Sequence, residues 1–384
     1  MSVVSVTPPA QVAPPVSWRM RLSDLSVSAA QRAAALEVID SGWLSMGPRN
    51  AAFERAFGIA AGVENAVTVA NGSAALVLAL KAVGVQPGDE VVIPSLTFVA
   101  DASAVRQLGA APVFADVQSA DRPLVDPQDV LKAVTPRTRA VIVVHYAGVA
   151  AAVEPMLGHG FAVVEDAAHA IGPTGDDGAW IPLRGDVAAY SFFANKNLPL
   201  GEGGMVTARD HGLAERVRLL RSHAMTSGTW DRHRGHATDY DVVDVGVNAR
   251  LTEIQAAMGE VGLVDLPAHN AVRRRLLDAY NVAFDGTGVR MAFADEGRTT
   301  GHIAVAVLPE EGSRPRIRAA LTDAAIQSSF HYPPIHHMTA YRDLAARPLP
   351  HTEEAAQRFV TLPLHPYLTE AEVQEIAGVV CGSL

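Results

Sequence analysis

Seven short apolar runs between residues 66 and 208, several of them separated by helical stretches, limit this sequence more than any other feature. They are AVTVA (66–70), EVVIP (90–94), APVFADV (111–117), RAVIVVHYAG (139–148), FAVVED (161–166), VAAYSFF (187–193) and GGMVTA (203–208). A strand that faces water on one side alternates apolar and polar residues. These runs do not alternate, so both faces of the sheet are expected to be covered. Helical periodicity between them, in SAALVLALKAVG (73–84) and DPQDVLKAV (126–134), points to an α/β fold with a mainly parallel sheet. Such sheets bind ligands beyond the carboxyl ends of their strands.

Two helices precede the first strand. SAAQRAAALEVIDSG (28–42) ends at a glycine, and PRNAAFERAFGIAAG (48–62) has proline near its start and glycine at its end. A long arginine-rich helical stretch covers roughly 251–285. A second, smaller αβ pattern follows in GHIAVAVL (301–308), RPRIRAALTDA (314–324), SSFHYPPI (328–335) and TEAEVQEIAGVV (369–380). The chain of 384 residues is long for one ordinary domain. The expected division is a flexible N-terminal arm over 1–20, a large domain over 21–260 and a small C-terminal domain over 261–384.

Several function classes are disfavoured. The formal charge of −10 argues against general nucleic-acid binding. No apolar run approaches the roughly 20 residues of a membrane span, and the proline-rich start lacks the pattern of a secretory signal, so a cytoplasmic location is expected. The single cysteine, Cys381, can form neither an internal disulfide nor a thiolate cage. The 14 histidines include the pair His336-His337, but no HExxH or supporting carboxylate spacing accompanies them, and no metal is expected. No GxGxxG follows the first strand, and GEGG (201–204) precedes a strand rather than a helix, which fails the dinucleotide-binding test.

Four features fall at strand ends. Asn71-Gly72-Ser73 follows the first run and opens a helix, where free N–H groups and the helix dipole suit a phosphate; the plainer reading is a βα turn with Ser73 as N-cap. Phe98, in PSLTFVADAS, is placed either to stack on a flat ring or to fill the core. Asp166 ends FAVVED. A carboxylate at the mouth of a buried strand needs a partner, and alternation turns Glu165 to the opposite face. Lys196 follows VAAYSFF, with Ser191 five residues before it. Only three lysines occur, Lys81, Lys132 and Lys196, against 28 arginines. A desolvated lysine can form an imine, which arginine cannot.

The order of phosphate turn, aromatic, aspartate and lysine, with the phrases SGWLSMGPRNAAFERAF, NGSAALVLAL, GDEVVIPSLTFVADASAV, VVEDAAHAIG, YSFFANKN with GEGGMV, GVNARLTEIQAAMG and HYPPIHHMTAYRDL, resembles the DegT/StrS family of pyridoxal-phosphate-dependent sugar aminotransferases. The resemblance spans about residues 20 to 380. It implies a fold-type I transferase: a large domain with a mainly parallel seven-stranded sheet between helices, and a smaller C-terminal α+β domain. It implies pyridoxal 5′-phosphate as cofactor, with Lys196 holding it covalently and shuttling a proton. Asp166 is then the partner of the pyridine nitrogen, and His169 lies near the ring and its phenolic oxygen. Phe98 stacks on the ring, and Gly72, Ser73 and Ser191 contact the phosphate. Asn248 reaches the phosphate of a neighbouring subunit, which implies a homodimer with shared sites. Trp230, His331 and Tyr332 are the candidates for substrate contact.

The implied reaction moves an amino group from glutamate or glutamine to a keto sugar, a nucleotide-linked keto-deoxysugar being preferred. A keto-inositol acceptor in aminoglycoside synthesis is the alternative. Family members that dehydrate the sugar replace the lysine by histidine, so Lys196 favours transamination. The preference for arginine over lysine points to a GC-rich genome, which together with the family suggests antibiotic or surface-sugar synthesis. Two departures stand out. Asp101 falls where small or hydroxyl residues are usual, so the nearby substrate surface is expected to differ, and Ala194-Asn195 replaces a frequent Pro-Thr. The polar, aromatic stretch 222–241 is read either as a loop over the substrate or as a solvated surface loop.

Overall fold

A computed structural model describes residues 17–227, 235, 239–344 and 346–384. Trp230 lies outside the described residues.

The seven runs form seven strands: β1 (Asn65–Val69), β2 (Glu90–Pro94), β3 (Ala111–Ala115), β4 (Thr138–Val144), β5 (Ala162–Asp166), β6 (Val187–Ser191) and β7 (Gly204–Ala208). They make one sheet in the order β1-β7-β6-β5-β4-β2-β3. Strands β2 to β6 run parallel to one another, while β7 is antiparallel to both β1 and β6. β2, β6 and β7 are buried at every position, which accounts for their continuous apolar sequence.

Eleven α-helices stand among the described residues. Before the sheet come α1 (Ala29–Ser41) and α2 (Pro48–Ala61), and within it α3 (Gly72–Ala82), α4 (Ala100–Gln107), α5 (Pro127–Ala133) and α6 (His211–Leu220). Ser28 and Gln31 form a capping box on α1, which ends at left-handed Gly42. α2 starts at Gly47 without a side-chain cap of its own. The distant Glu253 carboxylate supplies one, accepting from the N–H groups of Gly47, Arg49 and Asn50 at 2.9 Å each.

The stretch expected as one helical region over 251–285 is two helices, α7 (Glu253–Gly262) and α8 (Leu266–Phe284). Pro267, at the start of α8, fits the beginning of a helix but not its interior. Beyond α8, strands β8 (Arg290–Met291), β9 (Ala304–Val307) and β10 (Phe359–Leu362) form an antiparallel sheet in the order β10-β9-β8. Helices α9 (Arg314–Asp323), α10 (Pro350–Arg358) and α11 (Glu370–Cys381) accompany it. The segment 328–335 contributes only an isolated bridge, Ser329 to Thr361, because Pro333 and Pro334 cannot donate to a ladder.

A second apolar cluster joins Leu276, Tyr280 and Phe284 of α8 to Ile317, Leu321, Val360, Ile376 and Val380. Met20 belongs to it, and the N–H of Arg19 donates to the Ala325 carbonyl at 2.9 Å. No helix among the described residues is long and apolar enough to cross a membrane.

Candidate active site

β1 is parallel to β6, because each is antiparallel to β7. The carboxyl ends of β1, β2, β4, β5 and β6 therefore open on one edge of the sheet. A cavity of about 380 Å³ lies there. Its wall includes Gly72 and Ser73 after β1, Phe98 after β2, Asp166 and His169 at and after β5, and Ser191 and Lys196 at and after β6. His331 and Tyr332 close it from the C-terminal half.

Asp166 is the last residue of β5 and is buried. Its Oδ1 accepts the Ala168 N–H at 2.9 Å. Burial pushes its pKa above the usual carboxylate value, while the Ala168 N–H and Lys196 pull it partly back. Glu165 does turn the other way. It is absent from the cavity wall, its Oε2 lies 2.7 Å from His145 Nε2, and Oε1 accepts N–H groups from Arg184 and Gly185. Burial pushes Glu165 up, but the His145 and backbone hydrogen bonds outweigh it and hold the carboxylate below its ordinary value.

Lys196 sits in the turn after β6, its N–H donating to the Phe193 carbonyl at 2.9 Å. Burial lowers its pKa to about 8 against the opposing pull of Asp166. A meaningful fraction of the amine is thus neutral near neutral pH, the form that attacks a carbonyl carbon.

His169 is buried, and burial followed by Lys196, His302 and His331 holds its pKa well below the ordinary imidazole value. Its Nδ1 accepts the Ala147 N–H at 3.3 Å, so the proton of the neutral ring belongs on Nε2, 3.0 Å from the Tyr332 hydroxyl. Tyr332 also approaches Phe98, with ring centroids 5.7 Å apart. Phe98 is 51% exposed within the cavity wall, so it is not a core residue. His331 Nδ1 lies 3.0 Å from Thr361 Oγ1, its main-chain carbonyl accepts from the Tyr146 hydroxyl, and burial lowers its pKa to about 4.

The N-cap of α3 is Asn71, not Ser73; its Oδ1 accepts the Ala74 N–H at 2.8 Å. Gly72 and Ser73 are therefore the first helical residues, and their N–H groups have no acceptor within the helix. A Cβ on Gly72 would lie 2.7 Å from Ser191 Cβ. That absence of a side chain lets the helix start come close to the end of β6, with the Ser191 hydroxyl beside it.

Asp101 departs from expectation. It is fully buried in the first turn of α4, does not line the cavity, and its Oδ2 accepts from Thr97 Oγ1 at 2.7 Å. It therefore alters no substrate-facing surface. Asn195, of the second departure, does line the cavity. Asn248 is exposed and lies off the cavity wall of its own chain. Of the stretch 222–241, residues 228–234 and 236–238 lie outside the described residues; beside them the Thr226 N–H donates to the Asp241 carbonyl at 2.9 Å.

Sequence reasoning missed the layer behind the site. Asn197 is buried next to Lys196, and its Nδ2 donates to Asn270 Oδ1 at 2.8 Å and the Thr300 carbonyl at 3.0 Å. Its oxygen is 2.9 Å from Nδ1 of His302, another buried residue. The only available signal was a histidine opening the apolar run of β9. Glu202 and Thr97 on the cavity wall were missed as well.

These residues suit pyridoxal phosphate. Unpaired helix N–H groups and a hydroxyl meet at a glycine-made gap fit for a phosphate. A lysine of lowered pKa stands within electrostatic reach of a buried aspartate, which gains a partner in a protonated ring nitrogen.

The comparisons agree. A model described as the DegT/DnrJ/EryC1/StrS aminotransferase family matches residues 26–381. The spore coat polysaccharide biosynthesis protein SpsC of Bacillus subtilis (strain 168) is 36% identical over 358 residues, covering 90% of this chain and 92% of that protein. The crystal structure of the aminotransferase TlmJ from Streptoalloteichus hindustanus matches with TM-score 0.85 at 32% identity, covering 95% of this chain and 98% of that one. Spr1654 of Streptococcus pneumoniae, described as a sugar aminotransferase and solved in its PLP form, matches with TM-score 0.86 at 26% identity over 94% of this chain and 97% of that one. The chain belongs to the DegT/DnrJ/EryC1/StrS aminotransferase family, the pyridoxal-phosphate-dependent sugar aminotransferases of fold type I.

Proposed function

We propose that this enzyme moves an amino group from glutamate or glutamine to the ketone of a nucleotide-linked keto-deoxysugar, with Lys196 as the catalytic base and covalent anchor. The observation that carries the roles is the meeting of Lys196, Asp166 and the α3 N-terminus in one cavity. Pyridoxal phosphate, when bound there, supplies an aldehyde carbon for the lysine and a pyridine ring that takes up the electron pair left when a proton is removed.

The N–H groups of Gly72 and Ser73 and the Ser191 hydroxyl hold the phosphate. Asp166 keeps the ring nitrogen protonated; its own burial makes it gain from the positive charge placed beside it. Lys196 would take the α-proton of the amino donor and return a proton to the carbon that carried the cofactor's aldehyde. Neutral His169 orients the ring through its Nε2–H side, and Phe98 covers one ring face. Tyr332 and His331 form the wall nearest the acceptor, with Trp230 as a further candidate.

A sugar acceptor is supported by what the relatives are called: SpsC is a spore coat polysaccharide biosynthesis protein and Spr1654 a sugar aminotransferase. A homodimer with Asn248 serving the partner's site is supported by its exposure away from its own cavity and by exposed apolar residues nearby, Val242, Val243, Val245 and Val247. On this reading the large domain (21–260) gives way to the small one (261–384) within the last turn of α7, just before α8.

The test is incubation of purified holoenzyme with glutamate or glutamine and a panel of nucleotide-linked keto sugars and keto-inositols, with products read by mass. An amine on the nucleotide-linked sugar is expected. Turnover of keto-inositol alone overturns the acceptor assignment.

A further inference from the structure

We propose that His336, His337 and Glu353 form a binding site for one divalent transition-metal ion of the zinc class, which clamps the segment carrying Tyr332 to helix α10.

The two histidines lie in a 3₁₀ turn, Ile335–His337, and Glu353 lies in the first turn of α10. Sequence spacing hides the set, since 16 and 17 residues separate its halves. In the fold, His336 Nε2 and His337 Nε2 approach the same carboxylate oxygen, Glu353 Oε1, at 2.7 and 2.8 Å. One donor atom from each of the three lies within 4.8 Å of the others. Two imidazoles and a carboxylate form a donor set that suits zinc, and the imidazoles disfavour magnesium or calcium.

His336 also has an outer partner. Its Nδ1 is 2.7 Å from Ser95 Oγ, which also accepts the His336 N–H at 3.3 Å. Metal-bound histidines characteristically anchor their second nitrogen in this way, which fixes the ring and leaves Nε2 for the ion. The arrangement carries a proton on Nε2 in the metal-free form. Metal binding moves that proton to Nδ1, where Ser95 Oγ accepts it.

Burial is graded to match. The His336 side chain is 10% exposed, while those of His337 and Glu353 are 51% and 39% exposed. One ligand is rigidly held, two can adjust, and solvent reaches the open coordination position. Ligand atoms about 2.1 Å from a tetrahedral ion stand roughly 3.4 Å apart. The two separations from Glu353 Oε1 must therefore widen by about 0.6–0.7 Å, within reach of two exposed side chains.

The place gives the site its consequence. Tyr332, three residues before the turn, lines the active cavity, as does Thr97, two residues after Ser95. The Ile335 N–H donates to the Ser95 carbonyl at 3.0 Å. An ion here ties the segment after Tyr332 to α10 and, through the His336–Ser95 hydrogen bonds, steadies the loop that carries Thr97, without touching the reacting atoms.

The experiment uses untagged holoenzyme freed of metal by chelator dialysis. Zinc chloride is titrated calorimetrically, thermal midpoints are measured with and without zinc, and the cobalt(II) visible spectrum is recorded. Expected are one tight zinc per chain, a raised midpoint, and cobalt bands of a low-coordinate nitrogen–oxygen site. His337→Ala and Glu353→Gln, each at a partly exposed position, should each weaken zinc binding at least tenfold and remove the midpoint shift. Absence of stoichiometric binding by the unaltered protein overturns the proposal. So does unchanged affinity in both variants, which would place the ion elsewhere.

Discussion

His302 Nδ1 lies 2.9 Å from the side-chain oxygen of Asn197, the residue that follows Lys196. The same imidazole lies against His169, with ring centroids 4.2 Å apart. One buried ring thus supports both the lysine turn and the histidine of the cavity wall. His302→Ala leaves the buried Asn197 oxygen without its donor, which costs about 1–3 kcal/mol. The denaturation midpoint should fall accordingly. Loosening the turn should also lower kcat between about tenfold and 10²-fold with KM little changed. Steady-state kinetics beside a chemical melt check both; unchanged kcat would show that Lys196 is positioned without this layer.

The lowered pKa of Lys196 gives a pH dependence with a defined sign. Only the neutral amine reacts with the cofactor aldehyde. Its fraction rises tenfold per pH unit below about 8 and levels off above. Covalent incorporation of pyridoxal phosphate into cofactor-free enzyme, followed by absorbance, should show that profile. Asp166 raises the lysine pKa, so Asp166→Asn should move the midpoint to lower pH. A midpoint that moves up contradicts the electrostatic coupling.

Lys196→Ala removes both the anchor and the proton carrier. Borohydride treatment should then fix no pyridoxyl mass on the peptide spanning 191–205, and turnover should drop by at least about 10³-fold. Pyridoxal phosphate should still bind through the phosphate contacts, measurable by equilibrium dialysis.

Asp166→Asn leaves shape and size nearly intact but takes away the charge that keeps a ring nitrogen protonated. Loss of at least about 10²-fold in kcat is expected, with a much smaller change in cofactor affinity. Equal losses in both would assign Asp166 to binding alone.

Gly72→Ala places a Cβ 2.7 Å from Ser191 Cβ. Something must shift, at a cost of about 1–3 kcal/mol. Cofactor affinity should fall while the bound fraction keeps its covalent link to Lys196. Titration of cofactor-free enzyme with pyridoxal phosphate, read by absorbance, measures this.

The strands were readable because burial on both faces leaves little room for polar residues. VVI in β2 and VV in β5 announce themselves without any partner in view. The four strand-end residues were readable for a related reason: Gly72, Phe98, Asp166 and Lys196 each interrupt or follow an apolar run where the chain leaves the sheet. β10 was not, since its FVTL lies amid helical and loop sequence and gains its strand character only by pairing with β9. Asp101 looked like a surface change and is in fact buried, because helix α4 turns it inward onto Thr97.

By itself the sequence determined the seven strands of the large sheet, the two helices that precede it, and the chemical types set at the strand ends, because each depends on neighbours within a few positions. Which distant side chains meet was decided by the tertiary structure alone. Glu253 caps α2 from some 200 residues away, Asn197 and His302 join behind the lysine, and Glu353 finds His336 and His337. Such contacts follow from how the helices and the two sheets pack, and hydrogen-bond geometry leaves no trace in the spacing of residues so far apart along the chain.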